Sequence, residues 1–487
     1  MGRRSIACGR GHAARAGRAA VHWRDAEDRV RRAAVWRLPP RGAAGRSGAR
    51  RRNRLMATDR KEVQSGQSLR RALGRTSATF LTAAMIIGTG LFAALGATTE
   101  KAGSGLLLAM IFSGLVALTT GLSAASVGIH FPEEGGGFTW SRKFGYPTLG
   151  FVAGCAYLGK GIVSTVVIAL AFATYTAQMA NGLPSYGMHA VASAAVLLVT
   201  AVNFLGIELN AKVLIVTLFV ELALLGVFVG FAIPSSQAAH LTPLLGPGVL
   251  DVLGGAAIFF WSWDGFMRMA IMASEVKEPR RTIPFAVIGG IVIAAIVFLA
   301  VGAATLGVLG ADAIRVGGTR NDTLLLTAGA KAIGRWGVWV VLAAAWLDTL
   351  TEAHGDMLTA TRVALAMGKE HELPAWLGTI HPRSRSPRHA VVALGLVCSA
   401  AALFLDLRPM LAVANVFTLV WYSIVLLDAL MLPKGQRLVW PVVSWLGLAG
   451  CLALFASLPA WALVTGGGVL AVCTGVRWPA LRYATQH

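Results

Sequence analysis

Charged residues are scarce in this chain: they make up 14% of its 487 positions, where soluble domains run near a quarter. That scarcity excludes a sizeable soluble domain and places the chain in the membrane class, in keeping with a mean hydropathy of +0.64. Cysteine is almost missing as well. The five (Cys8, Cys155, Cys398, Cys451, Cys473) are scattered, the last four in or beside apolar runs. Their spacing excludes a disulfide framework and a metal site, and they read as small packing residues. No motif asks for a cofactor.

Lysine is absent from residues 1–55, which hold 16 Arg against Asp25, Glu27 and Asp28, a net +13. An Arg, Ala and Gly composition without apolar periodicity cannot form a packed core. Residues 1–75 are therefore expected to be a disordered Arg-rich segment. Three origins for residues 1–55 stand side by side: an over-extended start upstream of Met56, a tail attracted to anionic lipid, and a targeting segment. Met56-Ala57-Thr58 opens a conventional polar lead, which favours the first. The overall charge of +21 is thus no nucleic-acid signal, because its remainder is spread over loops.

What is abundant is apolar sequence in runs of about 18 residues or more, the length that crosses a bilayer. Twelve such stretches are expected at roughly 78–97, 104–129, 149–177, 188–206, 211–233, 251–273, 285–309, 336–366, 389–405, 409–432, 439–457 and 461–476. Basic residues gather in alternate loops, at Arg70, Arg71 and Arg75, at Arg142 and Lys143, at Lys277, Arg280 and Arg281, and at Arg383, Arg385 and Arg388. The positive-inside rule then puts both termini of a multi-pass cell-membrane protein in the cytoplasm. The loop 310–335 resists, since it should be external yet carries Arg315, Arg320, Lys331 and Arg335, only partly offset by Asp312 and Asp322.

Two stretches are interrupted. Ile86-Ile87-Gly88-Thr89-Gly90-Leu91-Phe92 breaks the first, and Phe260-Trp261-Ser262-Trp263-Asp264-Gly265-Phe266 breaks the sixth. Backbone at membrane depth leaves helical bonding only where it lines a cavity or is buried in protein. Matching interruptions in two halves point to the substrate site of a secondary transporter.

Gly88-Thr89-Gly90-Leu91-Phe92 resembles the G-[ST]-G-[IV]-F signature of the amino acid–polyamine–organocation (APC) superfamily of permeases. Pro132-Glu133-Glu134-Gly135-Gly136-Gly137-Phe138-Thr139-Trp140 resembles its lead into the third span, with Phe in place of Tyr. Glu275-Val276-Lys277-Glu278-Pro279-Arg280-Arg281-Thr282-Ile283-Pro284 resembles the segment after its broken sixth span. Arg362-Val363-Ala364-Leu365-Ala366-Met367, then Leu373-Pro374, resembles the segment after its eighth. The resemblance covers about residues 70–430. It implies an all-α fold of the LeuT type: a core at 76–432 in two inverted repeats of five spans (about 76–233 and 251–432), then two extra helices within 433–487. The breaks would meet near the midplane, where a half-helix N-terminus suits a substrate carboxylate and freed carbonyls suit an ammonium. Ile86, Ile87, Gly88, Thr89, Gly90, Phe260, Trp261, Ser262, Asp264, Gly265 and Asp356 are the expected substrate contacts. Lys212 lies nine positions after Asn203, as in family members whose fifth-span lysine replaces a sodium ion, which implies a coupling role.

Ionisable groups at bilayer depth cost roughly 2.5–3.5 kcal/mol on insertion scales and are functional candidates by default. Asp264 sits in the second break, with Arg268 one turn on as a partner. Asp348, Glu352 and Asp356 follow at i, i+4 and i+8, hence on one helical face. Acids in these places favour an amine or amino acid substrate, or a proton-binding step. The expected function is sodium-independent transport of amino acids or related amines by alternating access, as proton symport or as exchange. Two other readings are a nutrient sensor on the same fold and an intramembrane aspartyl protease using Asp264 and Asp356. The protease reading leaves the permease-like motifs unexplained.

Overall fold

The computed structural model describes residues 73–484 apart from 89, 134, 181–182, 206, 244, 246–247, 272–275, 317–321 and 385. The Arg-rich opening segment and Thr89 lie outside the described residues. Among the described residues the chain is helical, with a lone extended pairing of Leu73 with Val276. The helices are α1 (Arg75–Ile86), α2 (Leu95–Ala102), α3 (Leu106–Gly128), α4 (Gly137–Lys143), α5 (Pro147–Ala177), α6 (Ser185–Asn203), α7 (Ile207–Ala232), α8 (Val249–Phe259) and α9 (Phe266–Ile271). They continue as α10 (Pro279–Leu309), α11 (Ala311–Val316), α12 (Leu324–Ile333), α13 (Arg335–Lys369), α14 (Arg388–Ala402), α15 (Leu407–Met431), α16 (Pro441–Ala456) and α17 (Ala460–Ala484).

Among the described residues the apolar stretches are mainly helical, the first and sixth with a break. Among the described residues, eight helical segments are long and apolar enough to cross a membrane, and α12, α14 and α16 are apolar but shorter. The chain is a multi-pass membrane protein. α13 escapes a composition test because it carries Asp348, Glu352, Asp356 and Arg362 along 35 residues, a helix of about 52 Å at 1.5 Å per residue. Several hydroxyl groups in the apolar helices bond back to the preceding turn, as Thr82 Oγ1 does to Ala78 O (2.7 Å) and Thr120 Oγ1 to Val116 O (2.7 Å), so burying these leaves their donors paired.

α7 shows how the outer helices face two ways. Leu214, Leu218, Glu221, Leu225 and Phe228 are buried, while Val213, Val216, Phe219, Val220 and Phe231 are exposed. An apolar exposed face is what lipid requires of a helix that water would destabilise. At the centre, α5 packs against α13 and α15, α13 against α7, α1 against α10, and α8 against α2 and α3. The end of the bundle holding the foot of α13 is tied by ion pairs. Arg142 reaches Glu370 (2.7 Å) and Glu372 (2.8 Å), and Arg477 of α17 grips the same Glu372 at 2.7 and 2.9 Å.

The tightest approach lies between α1 and the turn before α9. A Cβ on Gly265 would coincide with the Met85 carbonyl, so only glycine lets these two backbones touch. Gly265→Ala is therefore expected to lower stability by about 3 kcal/mol, the upper end of overpacking costs. Gly467→Ala, at a position facing open space, is the matched control. Thermal unfolding in detergent measures both, and equal midpoints would refute the close crossing.

Candidate functional site

The two interruptions meet. α1 closes with the Ile87 N–H on Ala83 O (2.8 Å), Ile87 turns extended at ψ 103°, and the chain resumes in a widened turn over Gly90–Ala94. α8 ends at Phe259, passes through a tight turn over Phe260–Trp263, and continues past Asp264 and Gly265 into α9. The two turns are in contact. Gly90 lies against Ser262 so closely that a Cβ would overlap its side chain, and the buried Ser262 Oγ has no hydrogen-bond partner. Ile86, Ile87, Gly88, Gly90, Phe260, Trp261, Ser262, Asp264 and Gly265 are all buried.

Breaking a helix frees carbonyls, and side chains take them up. Arg268 Nη1 donates to Met85 O (3.0 Å), Tyr422 to Asp264 O (3.0 Å) and Tyr175 to Phe92 O (3.1 Å). These three bonds let interrupted backbone persist without water. The indoles flanking the second break are fixed as well. Trp261 Nε1 donates to Ser164 Oγ (2.9 Å), and Trp263 Nε1 to Ser113 Oγ (3.0 Å) while its ring meets Phe298 edge-on at 5.0 Å.

Beside this crossing sits a buried ion cluster. Lys160, midway along α5, pairs with both Asp264 and Asp356, the latter at 2.5 Å. Arg268 reaches Asp356 at 2.7 Å, Asp264 at 3.2 Å and Glu352 at 3.4 Å. Tyr422 donates to Asp264 Oδ1 (2.6 Å), and Lys160 lies 5.5 Å from the Tyr157 ring centroid. The Glu352 carboxyl presses on Gly88, where a Cβ would collide with it. No member side chain is more than 3% exposed. Ions so far from water survive only with dense compensation. Three carboxylates face two cations, so the fully ionised cluster is one positive charge short.

The structure brings Asp264 and Asp356 together through ion pairs to Lys160 and Arg268 and not as the directly paired carboxyls of a protease dyad. Lys212 is exposed on α7 and does not join the cluster. Lys160 was missed by sequence reasoning. Its signal was available: a lysine thirteen residues into a 31-residue apolar helix cannot snorkel to either interface as Lys212 can.

A second acidic group lies alongside. Glu221 of α7 and Asp348 of α13 face each other within hydrogen-bonding reach, at 1% and 0% exposure. Both Asp348 oxygens and Glu221 Oε1 lack a donor. Two ionised carboxylates are acceptors only, so the contact becomes a bond when a proton lies between them. His354, one turn and a half along α13, has its Nδ1 3.0 Å from Asn203 Nδ2.

Residues 78–434, from α1 to just past α15, match the profile of the family described as amino acid permease. The chain belongs to that family. The permease is 31% identical to an uncharacterized transporter of Mycobacterium tuberculosis over 423 residues, 86% of this chain and 94% of the relative. It is 26% identical to cationic amino acid transporter 7 of Arabidopsis thaliana, over 83% of this chain and 73% of that one. It is 23% identical to a branched-chain amino acid permease of Bacillus subtilis, over 80% and 89%. The APC resemblance read from the motifs therefore holds, and an amino acid permease in a membrane acts on small molecules.

Removing the central ammonium of the permease leaves Asp264 and Asp356, among the described residues, to share the Arg268 guanidinium as their one cation. Lys160→Met is expected to destabilise by about 3–5 kcal/mol, the cost of stripping one partner from a buried pair. Asp356→Asn in the same chain should restore part of that. A double-mutant cycle by denaturant unfolding checks it, and strict additivity would show that the two residues are uncoupled.

Proposed function

We propose that the permease is a sodium-independent secondary transporter of amino acids or related amines, working by alternating access across twelve spans with both termini cytoplasmic. The observation that carries this reading is the buried cluster at the crossing of both breaks. Among the described residues it sets three carboxylates against two cations beside the interrupted backbone. A substrate ammonium near Phe260–Gly265 supplies the missing charge, while the N–H groups opening the second half of the first broken helix receive the substrate carboxylate. Trp261, at the second turn, is placed to close over the ligand.

Two features support the finer parts. The packing repeats after five spans: α1 on α10 is echoed by α8 on α3, and α5 on α15 by α13 on α7, which supports two inverted repeats. Lys160 and Arg268 already fill the space between the breaks and α13 with fixed positive charge, which supports operation without sodium. This role passes from Lys212 to Lys160 in our reading, because only the latter touches the broken segments' carboxylates.

Proton coupling, where it operates, runs through Glu221 and Asp348, whose contact needs one proton. Uptake into proteoliposomes in sodium-free buffer is expected to be saturable for an amino acid or amine and to increase with an inward proton gradient. A requirement for sodium would overturn the reading. Glu221→Gln is expected to abolish gradient-driven accumulation while leaving exchange of internal for external substrate. Accumulation that survives the change would remove the pair from the coupling step.

A further inference from the structure

The foot of α6 and α14 carries a site unrelated to the central cluster. A cavity of about 700 Å³ opens there. One wall is apolar, formed by Phe204, Val392 and Leu396, and the last two are exposed at 42% and 59%. Arg388, His389 and His381 stand at its mouth, with Arg383 beside them. Among the described residues no carboxylate pairs with any of the four. This contrasts with Arg142, Arg408 and Arg477, each of which holds a carboxylate at 2.8 Å or less.

The Arg388 guanidinium is fixed rather than loose. It lies 4.1 Å from the Phe204 ring centroid, and its Nη1 is 3.3 Å from His381 Nε2. Its buried Nε has no hydrogen-bond partner. His389 is oriented by Thr379 (2.8 Å) and by the edge of Trp376. Partial burial together with Arg388, Arg383 and His389 holds His381 below the ordinary histidine range. An anion in the cavity would reverse that pressure. The basic mouth needs a counter-charge, and the exposed apolar wall continues the lipid-facing surface of α14.

We propose that this cavity is a binding site for an anionic phospholipid, with the headgroup phosphate on Arg388 and His389 and an acyl chain along Val392 and Leu396. An anion alone would leave the apolar wall in water, and a neutral lipid would leave the basic cluster uncompensated. A lipid with a net negative headgroup satisfies both. Its place between the loop after α13, the start of α14 and the end of α6 lets it brace the end of the helix that carries Glu352 and Asp356.

Native mass spectrometry of the full-length chain in detergent tests this, with phosphatidylglycerol and phosphatidylcholine of equal acyl length as probes. Retention of phosphatidylglycerol is expected to exceed that of phosphatidylcholine by roughly tenfold or more, as charge-assisted bonds imply. Arg388→Gln should abolish the preference, and His389→Gln or Arg383→Gln should weaken it. Arg281→Gln, at an exposed site elsewhere, should leave it intact. The two exposed positions keep the test decisive should Arg388→Gln fail to fold. Equal retention of both lipids, or an undiminished preference in the His389 and Arg383 variants, would overturn the proposal. Binding of glycerol 3-phosphate as tight as that of the intact lipid would also overturn it, because the apolar wall would then contribute nothing.

Discussion

Arg268 is the residue on which the centre of the molecule depends. From one turn past the second break it holds the last free carbonyl of α1, the carboxylate of its own turn, and two carboxylates on α13. A planar guanidinium with five donors can serve several acceptors at fixed angles, which an ammonium cannot. Lys160 then adds the second positive charge from α5, closing a ring of four helical segments around the crossing. Broken backbone at bilayer depth would otherwise leave polar groups facing hydrocarbon, at several kcal/mol each.

The charges of this region are compensated unevenly. Asp264 and Asp356 each meet both cations, so neither behaves as an isolated acid. Glu352 meets Arg268 at 3.4 Å and leans on Gly88, and beyond it Glu221 and Asp348 meet each other. Compensation therefore thins out along α13 from Asp356 toward Asp348. A site whose charge balance is completed by something that arrives and departs is easier to reset than one fully neutralised by its own side chains.

Much of this was legible in the sequence. Apolar length located helical stretches along the chain, because a bilayer imposes that length on any span. Glycine located the first break and glycine beside a charge the second, and the i, i+4, i+8 spacing placed Asp348, Glu352 and Asp356 on one buried face. What could not be read was rotation. Lys160 and Lys212 both stand on apolar helices, and nothing local says that one turns inward and the other outward. That depends on partners about 100 and 200 residues away, Asp264 and Asp356. The sequence offered Glu221 as a possible partner for Lys212, and its pairing with Asp348 escaped for the same reason, since Asp348 is supplied by a helix from the other half of the chain. α13 shows the converse: the charges that make it functional are what hide it from a hydropathy criterion.

The ion pairs at the foot of α13 bear on the order of assembly during synthesis. Glu372 is held on one side by Arg142, made long before it, and on the other by Arg477, made 105 residues later. Spans that enter the bilayer one after another leave the early half of this clamp waiting for the late half. The segment bearing Arg477 also lies outside the stretch matched to the family, which ends at 434. Helix α17 is thus the keystone of an arch whose other stones are laid first, and the clamp at the foot of α13 closes only when translation has delivered it.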